Sequence, residues 1–203
     1  MERRWFIGGA AASAVGLVSG VARAQDSGAT EAAQPPPPAQ EGGYVVPEQY
    51  MPRLVRLKAE LPPYEIHVDP GAFALYWTLP EREAIRYTVG IGRPGLYESG
   101  TFYVGEKKQW PSWRPTDDMI ERNPDYAQWA DGMPGGPENP LGARALYLFE
   151  PGRGDTYLRI HGTNDPRTIA QRVSNGCARL VNSHAIHLYN RVPRGARVVL
   201  YPA

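Results

Sequence analysis

The single cysteine of this 203-residue chain, Cys177, stands sixteen positions after a histidine, His161. A thiol and an imidazole suffice for nucleophilic catalysis on an acyl group: the imidazole removes the proton and the thiolate attacks. Ser174 and Asn175 supply polar atoms beside the thiol, and Gly176 permits a tight turn or a close approach of backbone to ligand. If the chain is extended after the cysteine, Cys177 and Arg179 share one face. The same alternation places Arg159 with His161. Each strand then offers one reactive group and one cation.

The two segments, H-G-T-N-D-P at 161–166 and S-N-G-C-A-R-L at 174–180, resemble the active-site signature of L,D-transpeptidases of the YkuD type, which remodel bacterial peptidoglycan. That signature is a histidine, then roughly fifteen residues, then S-H-G-C with an arginine or asparagine two positions on. Asn175 stands where many members carry a second histidine, while His161 matches the catalytic one. The resemblance extends through N-P-L-G-A-R-A-L-Y-L at 139–148 and W-P-S-W-R-P-T at 110–116, covering roughly residues 64 to 201.

It implies that Cys177 is the nucleophile and His161 the base, with the carbonyl of Gly162 orienting the imidazole. The N–H groups of Gly176 and Cys177 become candidates for an oxyanion hole. Arg179 becomes a carboxylate clamp, with Arg159, Ser174 and Asn175 as substrate-binding or supporting groups. The implied donor is a tetrapeptide stem of peptidoglycan that loses its terminal D-alanine. The acceptor is a second stem, a lysine of an outer-membrane protein, a free D-amino acid, or water. Carbapenem-type inhibitors are expected to acylate the same thiol. No cofactor and no metal are implied.

The elements that must position these groups read as strands. Alternation at 64–69 predicts a half-buried strand with His67 on its wet face, and a turn at Asp69-Pro70-Gly71 returns it through 72–77. Further strands are expected at 83–92, 101–108, 144–149, 156–161, 178–181 and 196–201. The fold class is therefore mainly β, a single domain forming a sandwich or partly closed barrel with a few short helices. Helices are expected at 165–171, capped by Asp165 with Pro166 in its first turn, and at 182–192. Spaced apolar residues at 44–61 suit a short packed helix. The segment 110–142 holds Trp110, Trp113 and Trp129 among many Gly and Pro, with a helical hint at 116–122. It reads as a mobile lid over the groove.

The chain is expected to divide into a signal peptide at 1–24, a linker at 25–43, an extension at 44–63 and a catalytic domain at 64–203. Arg3-Arg4 before a weakly apolar stretch ending in Ala22-Arg23-Ala24 predicts export to the periplasm, by a twin-arginine route. Four consecutive prolines mark the linker as extended polyproline II or disordered. Removal of residues 1–24 takes away three arginines and one glutamate, leaving 19 basic against 20 acidic side chains. That balance argues against nucleic acid, which a strongly basic face would meet. His184 and His187 lie three apart without the further ligands a metal needs. The competing readings are an L,D-carboxypeptidase or other wall cysteine hydrolase, a sortase-like enzyme, and a non-catalytic wall-binding module. A sortase would carry its arginine on a later strand, not two positions after the cysteine.

Overall fold

A computed structural model describes residues 40–41, 43–176 and 178–203. The signal peptide, nearly all of the linker, and Cys177 itself lie outside the described residues. Thirteen strands follow in order: β1 (Gln40–Glu41), β2 (Tyr44–Val45), β3 (Arg53–Arg56), β4 (Ile66–Asp69), β5 (Ala74–Thr78), β6 (Glu83–Thr88), β7 (Ile91–Gly92), β8 (Gly100–Gln109), β9 (Arg144–Glu150), β10 (Gly154–His161), β11 (Arg172–Ser174), β12 (Ala178–Arg179) and β13 (Arg197–Leu200). Among the described residues two α-helices join them, α1 (Asp117–Arg122) and α2 (Asn182–Arg191).

Nine strands form one mixed sheet in the order β12-β10-β9-β8-β13-β4-β5-β6-β3. The pairs β10/β12 and β13/β4 are parallel, and the rest antiparallel. The sheet rolls toward closure. Gly90, just beyond β6, exchanges both backbone hydrogen bonds with Arg179 of β12, each at 2.8 Å. One edge of the sheet thus meets the chain leaving its eighth strand, a partly closed barrel. Its core is aliphatic and aromatic, with Ile66, Leu75, Ile85, Tyr87, Leu146, Ile160, Leu180 and Leu188 fully enclosed.

Several expectations are corrected. Residues 53–56 form a strand, not part of a helix, because the open edge of β6 needs a backbone partner and β3 supplies it, Leu54 facing Ile85. The helical content of the extension is a 3-10 turn, Glu48–Tyr50. The helix expected at 165–171 shrinks to a 3-10 turn, Pro166–Thr168, and the Asp165 side chain makes no cap. Ile169 instead turns outward into a small cluster with Val46 and Val181, and Ala170 has φ +61°.

His67 is not solvated. It is 3% exposed, its Nδ1 lies 3.0 Å from Tyr201 Oη and its Nε2 lies 3.3 Å from Glu65. Its strand is interior to the sheet, so the far face is covered by the chain's last residues rather than by water. Tyr64, expected inside, is exposed because the strand starts two residues later and its own φ is +66°.

Helix α2 buries Ala185 and Leu188 against the barrel, as its periodicity requires, together with His184 and His187. Lys107 of β8 caps it, donating Nζ to the carbonyls of Tyr189 and Val192 at 2.7 and 2.6 Å. This satisfies two carbonyls that a helix C-terminus leaves open and places a cation at its negative end. His187 Nδ1 meets the buried Tyr87 hydroxyl at 2.7 Å.

Burial, and secondarily the nearby His187, pushes His184 down to about 3 from the ordinary 6.5. The folded chain therefore refuses a proton that the unfolded chain accepts below pH 6.5. The stability present above that value is lost as pH falls toward 3, at about 1.4 kcal/mol per pH unit for this one group. Between pH 7 and 5, His184 alone should remove on the order of 2 kcal/mol. Urea unfolding of His184→Gln should show that much less pH dependence than the parent chain, and an unchanged difference would refute this role.

Candidate active site

Strand β10 delivers His161 at its C-terminal end, 4% exposed, with Ile160 and His161 paired to Ala178 and Arg179 of β12. The carbonyl of Gly162 lies 2.6 Å from His161 Nδ1. A carbonyl can only accept, so Nδ1 carries the proton and Nε2 is left with the lone pair. Burial is the main force holding the imidazole neutral, down to about 3, and the charges of Arg179 and Arg159 act in the same direction. The carbonyls of Gly162 and Leu141 partly oppose it. The ring is thus an acceptor with one nitrogen committed to orientation.

The segment around Cys177 is pinned on both sides. Before it, β11 runs parallel to β7, with Ser174 opposite Gly92 and the Ser174 carbonyl accepting from Arg93 N–H at 3.0 Å. After it, β12 is held between β10 and Gly90. Gly176 has φ +119°, and a Cβ there would meet the Leu96 carbonyl at 2.8 Å, so only glycine fits. Ser174 is buried and Asn175 half-buried. Of these neighbours, β12 brings the chain that follows Cys177 alongside Ile160 and His161.

The two arginines separate in role. Arg179 Nη2 donates to Thr168 Oγ1 at 2.9 Å, so the guanidinium rests on the 166–168 turn while its charge reaches His161. Arg159 lies on the other side, toward a groove under the 110–142 segment. That segment carries its own elements: α1 is capped by Thr116 Oγ1 accepting from Met119 N–H at 3.3 Å, and Trp113 meets Tyr126 edge-on at 5.2 Å. Buried Asn139 anchors its end, donating to the carbonyls of Met133 and Pro134. Trp113 lines the groove, whereas Trp110 lines a separate cleft beside Thr163 and Asn182.

Sequence reading passed over Asn182, the first residue of α2. Its Oδ1 accepts from Ala143 N–H at 2.8 Å and Thr163 N–H at 3.3 Å, and its Nδ2 donates to the Thr163 carbonyl at 3.0 Å. It ties the helix to the loop that turns the His161 end of β10, and Gly142 and Gly162 leave room for it. Nothing local marks it, since a polar residue at a helix start has a ready explanation as a cap. Asn182→Ala would strand two backbone N–H groups. A loss of roughly 2–4 kcal/mol is expected, with a fall in activity that exceeds any change in substrate affinity. A thermal midpoint within a degree of the parent would sink this account.

The comparisons follow the same lines. Residues 63–200 match the family model for the YkuD L,D-transpeptidase catalytic domain. A Fuscovulum blasticum protein of the ATP synthase region, provisionally named an L,D-transpeptidase, is 42% identical over 103 residues, 51% of this chain and 50% of its own length. A crystal structure from Brucella melitensis, described as a probable carnitine operon oxidoreductase, is 42% identical with TM-score 0.53 and covers 73% of this chain and 91% of that one. The Enterococcus faecium L,D-transpeptidase C442S mutant, 16% identical with TM-score 0.50, covers 70% of this chain and 50% of that one, and shows the fold alone. The chain spans half or less of the length of the first curated relatives it matches. Strand β3 precedes the matched region. With its sheet, its histidine–carbonyl pair and 138 consecutive residues under the family model, the chain belongs to the YkuD family of L,D-transpeptidase catalytic domains.

Proposed function

We propose that this chain is an exported, periplasmic peptidoglycan L,D-transpeptidase that works through a thioester on Cys177. The observation that carries this reading is the 2.6 Å contact between His161 Nδ1 and the Gly162 carbonyl, on a strand whose parallel neighbour begins one residue after Cys177. His161 Nε2 takes the thiol proton, and the thiolate attacks the carbonyl of the third residue of a tetrapeptide stem. The C–N bond to the terminal D-alanine breaks, and His161 returns the proton to the departing amine. An acceptor amine then attacks the thioester, the C–S bond breaks, and the proton the amine loses passes to His161 and on to the released thiolate. Backbone N–H groups at Gly176 and Cys177 serve as oxyanion donors. Arg3-Arg4 and the A-x-A site support export, and the polyproline linker supports reach into the wall.

The test is incubation of purified stem tetrapeptides with the chain, followed by mass spectrometry. Loss of D-alanine is expected, with a cross-linked dimer if a second stem accepts, an exchanged terminus if a D-amino acid accepts, and a tripeptide if water does. A lysine on an outer-membrane protein would give a protein–peptide adduct instead. Unaltered tetrapeptide after prolonged incubation would refute the reading.

A further inference from the structure

The groove under residues 110–142 has a volume of about 620 Å³. It reaches Leu141, whose carbonyl also faces the His161 ring. Lys108, Arg114 and Arg159 line it, against the single carboxylate Asp131. Arg159 is the buried member, 8% exposed, with its guanidinium carbon 3.9 Å from the centroid of Tyr147. Lys108 Nζ lies 5.0 Å from the same ring.

The backbone is distorted to make this arrangement. In a regular strand Asp155 and Arg159 would lie about 13 Å apart, too far to pair. The register shifts between them, and Tyr157 adopts φ +62°, a conformation a bulky residue rarely takes. The bulge brings Asp155 back onto Arg159, with Nη1 donating to Oδ1 at 2.6 Å and Nη2 to Oδ2 at 2.8 Å. Tyr157 N–H donates to the same carboxylate at 2.9 Å. Although burial opposes its charge, these donors hold the Asp155 carboxyl below the usual range. Nη1 also donates to the Leu158 carbonyl, leaving Nε–H and one Nη2–H without a partner among the described residues. Backbone strain at a groove wall, spent to fix an arginine that keeps open donors, is the mark of a recognition device.

We propose that Arg159 determines specificity: its open donors, with Lys108, receive a side-chain carboxylate on the residue whose carbonyl is attacked. The proposal rests on the transpeptidase reading above. The spacing supports it, since Arg159 and His161 are two strand residues apart, about 6.6 Å, which suits a carboxylate at the end of one long side chain. Apart from the Tyr147 ring, Lys108 is held by a solvent-exposed contact to Glu106 at 3.5 Å, and can turn to the ligand.

The experiment uses two tetrapeptides that differ only in that side chain, one ending in carboxylate and the other in carboxamide. The parent chain should prefer the carboxylate by about tenfold or more in kcat/KM, the advantage of charge-assisted hydrogen bonds at the open Nε–H and Nη2–H donors. Arg159→Gln should reduce the ratio below about threefold, and Arg159→Lys, which keeps the charge but loses the fork, should fall between. A purely structural role would lower both peptides alike and keep the ratio. Because Arg159→Gln leaves half-buried Asp155 without its cation, the double variant Asp155→Asn/Arg159→Gln and the exposed-side Lys108→Met are read in parallel. Both should lower the ratio. Equal turnover of the two peptides by the parent chain would overturn the specificity role while leaving the transpeptidase intact, as would a tenfold ratio surviving in folded Arg159→Gln. Turnover of neither peptide would overturn both.

Discussion

Cys177→Ala is expected to abolish turnover of stem peptides, with a loss on the order of 10⁴ or more, because a nucleophile and its base act as one unit. The folded state should change little, the unfolding midpoint staying within a few degrees. The flanking segments are held by backbone pairing of β11 with β7 and of β12 with β10 and Gly90. A covalent probe sharpens the test. A carbapenem offers a strained lactam carbonyl to the same thiolate, so intact-protein mass spectra should show one adduct, absent from Cys177→Ala. Retained turnover in a folded alanine variant, or an adduct at another residue, would remove Cys177 from the mechanism.

The second large effect concerns His161. His161→Ala should cost on the order of 10² to 10⁴ in rate, the usual worth of a general base. Asn175→His, which restores the commoner signature, should stay within a few fold, since asparagine has no proton that titrates near neutral pH. The pH profile separates the two. The base must be neutral to act, and burial with the charges of Arg179 and Arg159 holds His161 below the ordinary imidazole value. Activity should therefore persist as pH falls past 6.5 and decline only on a limb displaced to lower pH. Asn175→His should add an ionisation that the parent lacks. A parent limb centred at 6.5 or above would mean that another group, or a strongly coupled thiolate–imidazolium pair, controls the proton.

Both expectations were legible in the chain before its fold was known, because they depend on residue type and spacing alone. One cysteine, one histidine sixteen positions earlier, and the S-N-G-C-A-R-L setting carry the resemblance to the family and, with it, the expectation of thiol chemistry. The alternating runs that became β4 to β6, β8 to β10 and β13 specify a mainly β domain, and the period of 182–192 specifies α2. These are local signals, carried by polarity repeats of two or 3.6 residues.

Other features exist only because distant chain segments meet. His67 was read as wet from alternation, but Tyr201, 134 positions later, covers it. Residues 53–56 are a strand because β6 has an open edge, which no property of Arg53 or Leu54 reveals. The Asp165 helix failed because Ile169 gains more by joining Val46 and Val181 than by continuing a turn. Asn182 matters through hydrogen bonds to a loop 39 positions away, and Asp155 reaches Arg159 only because the pairing of β10 with β9 shifts register between them. A polarity pattern records how a residue relates to its own strand or helix. Which strand lies beside it, and which charge is left facing the groove, is decided by closure of the sheet at Gly90 and Arg179.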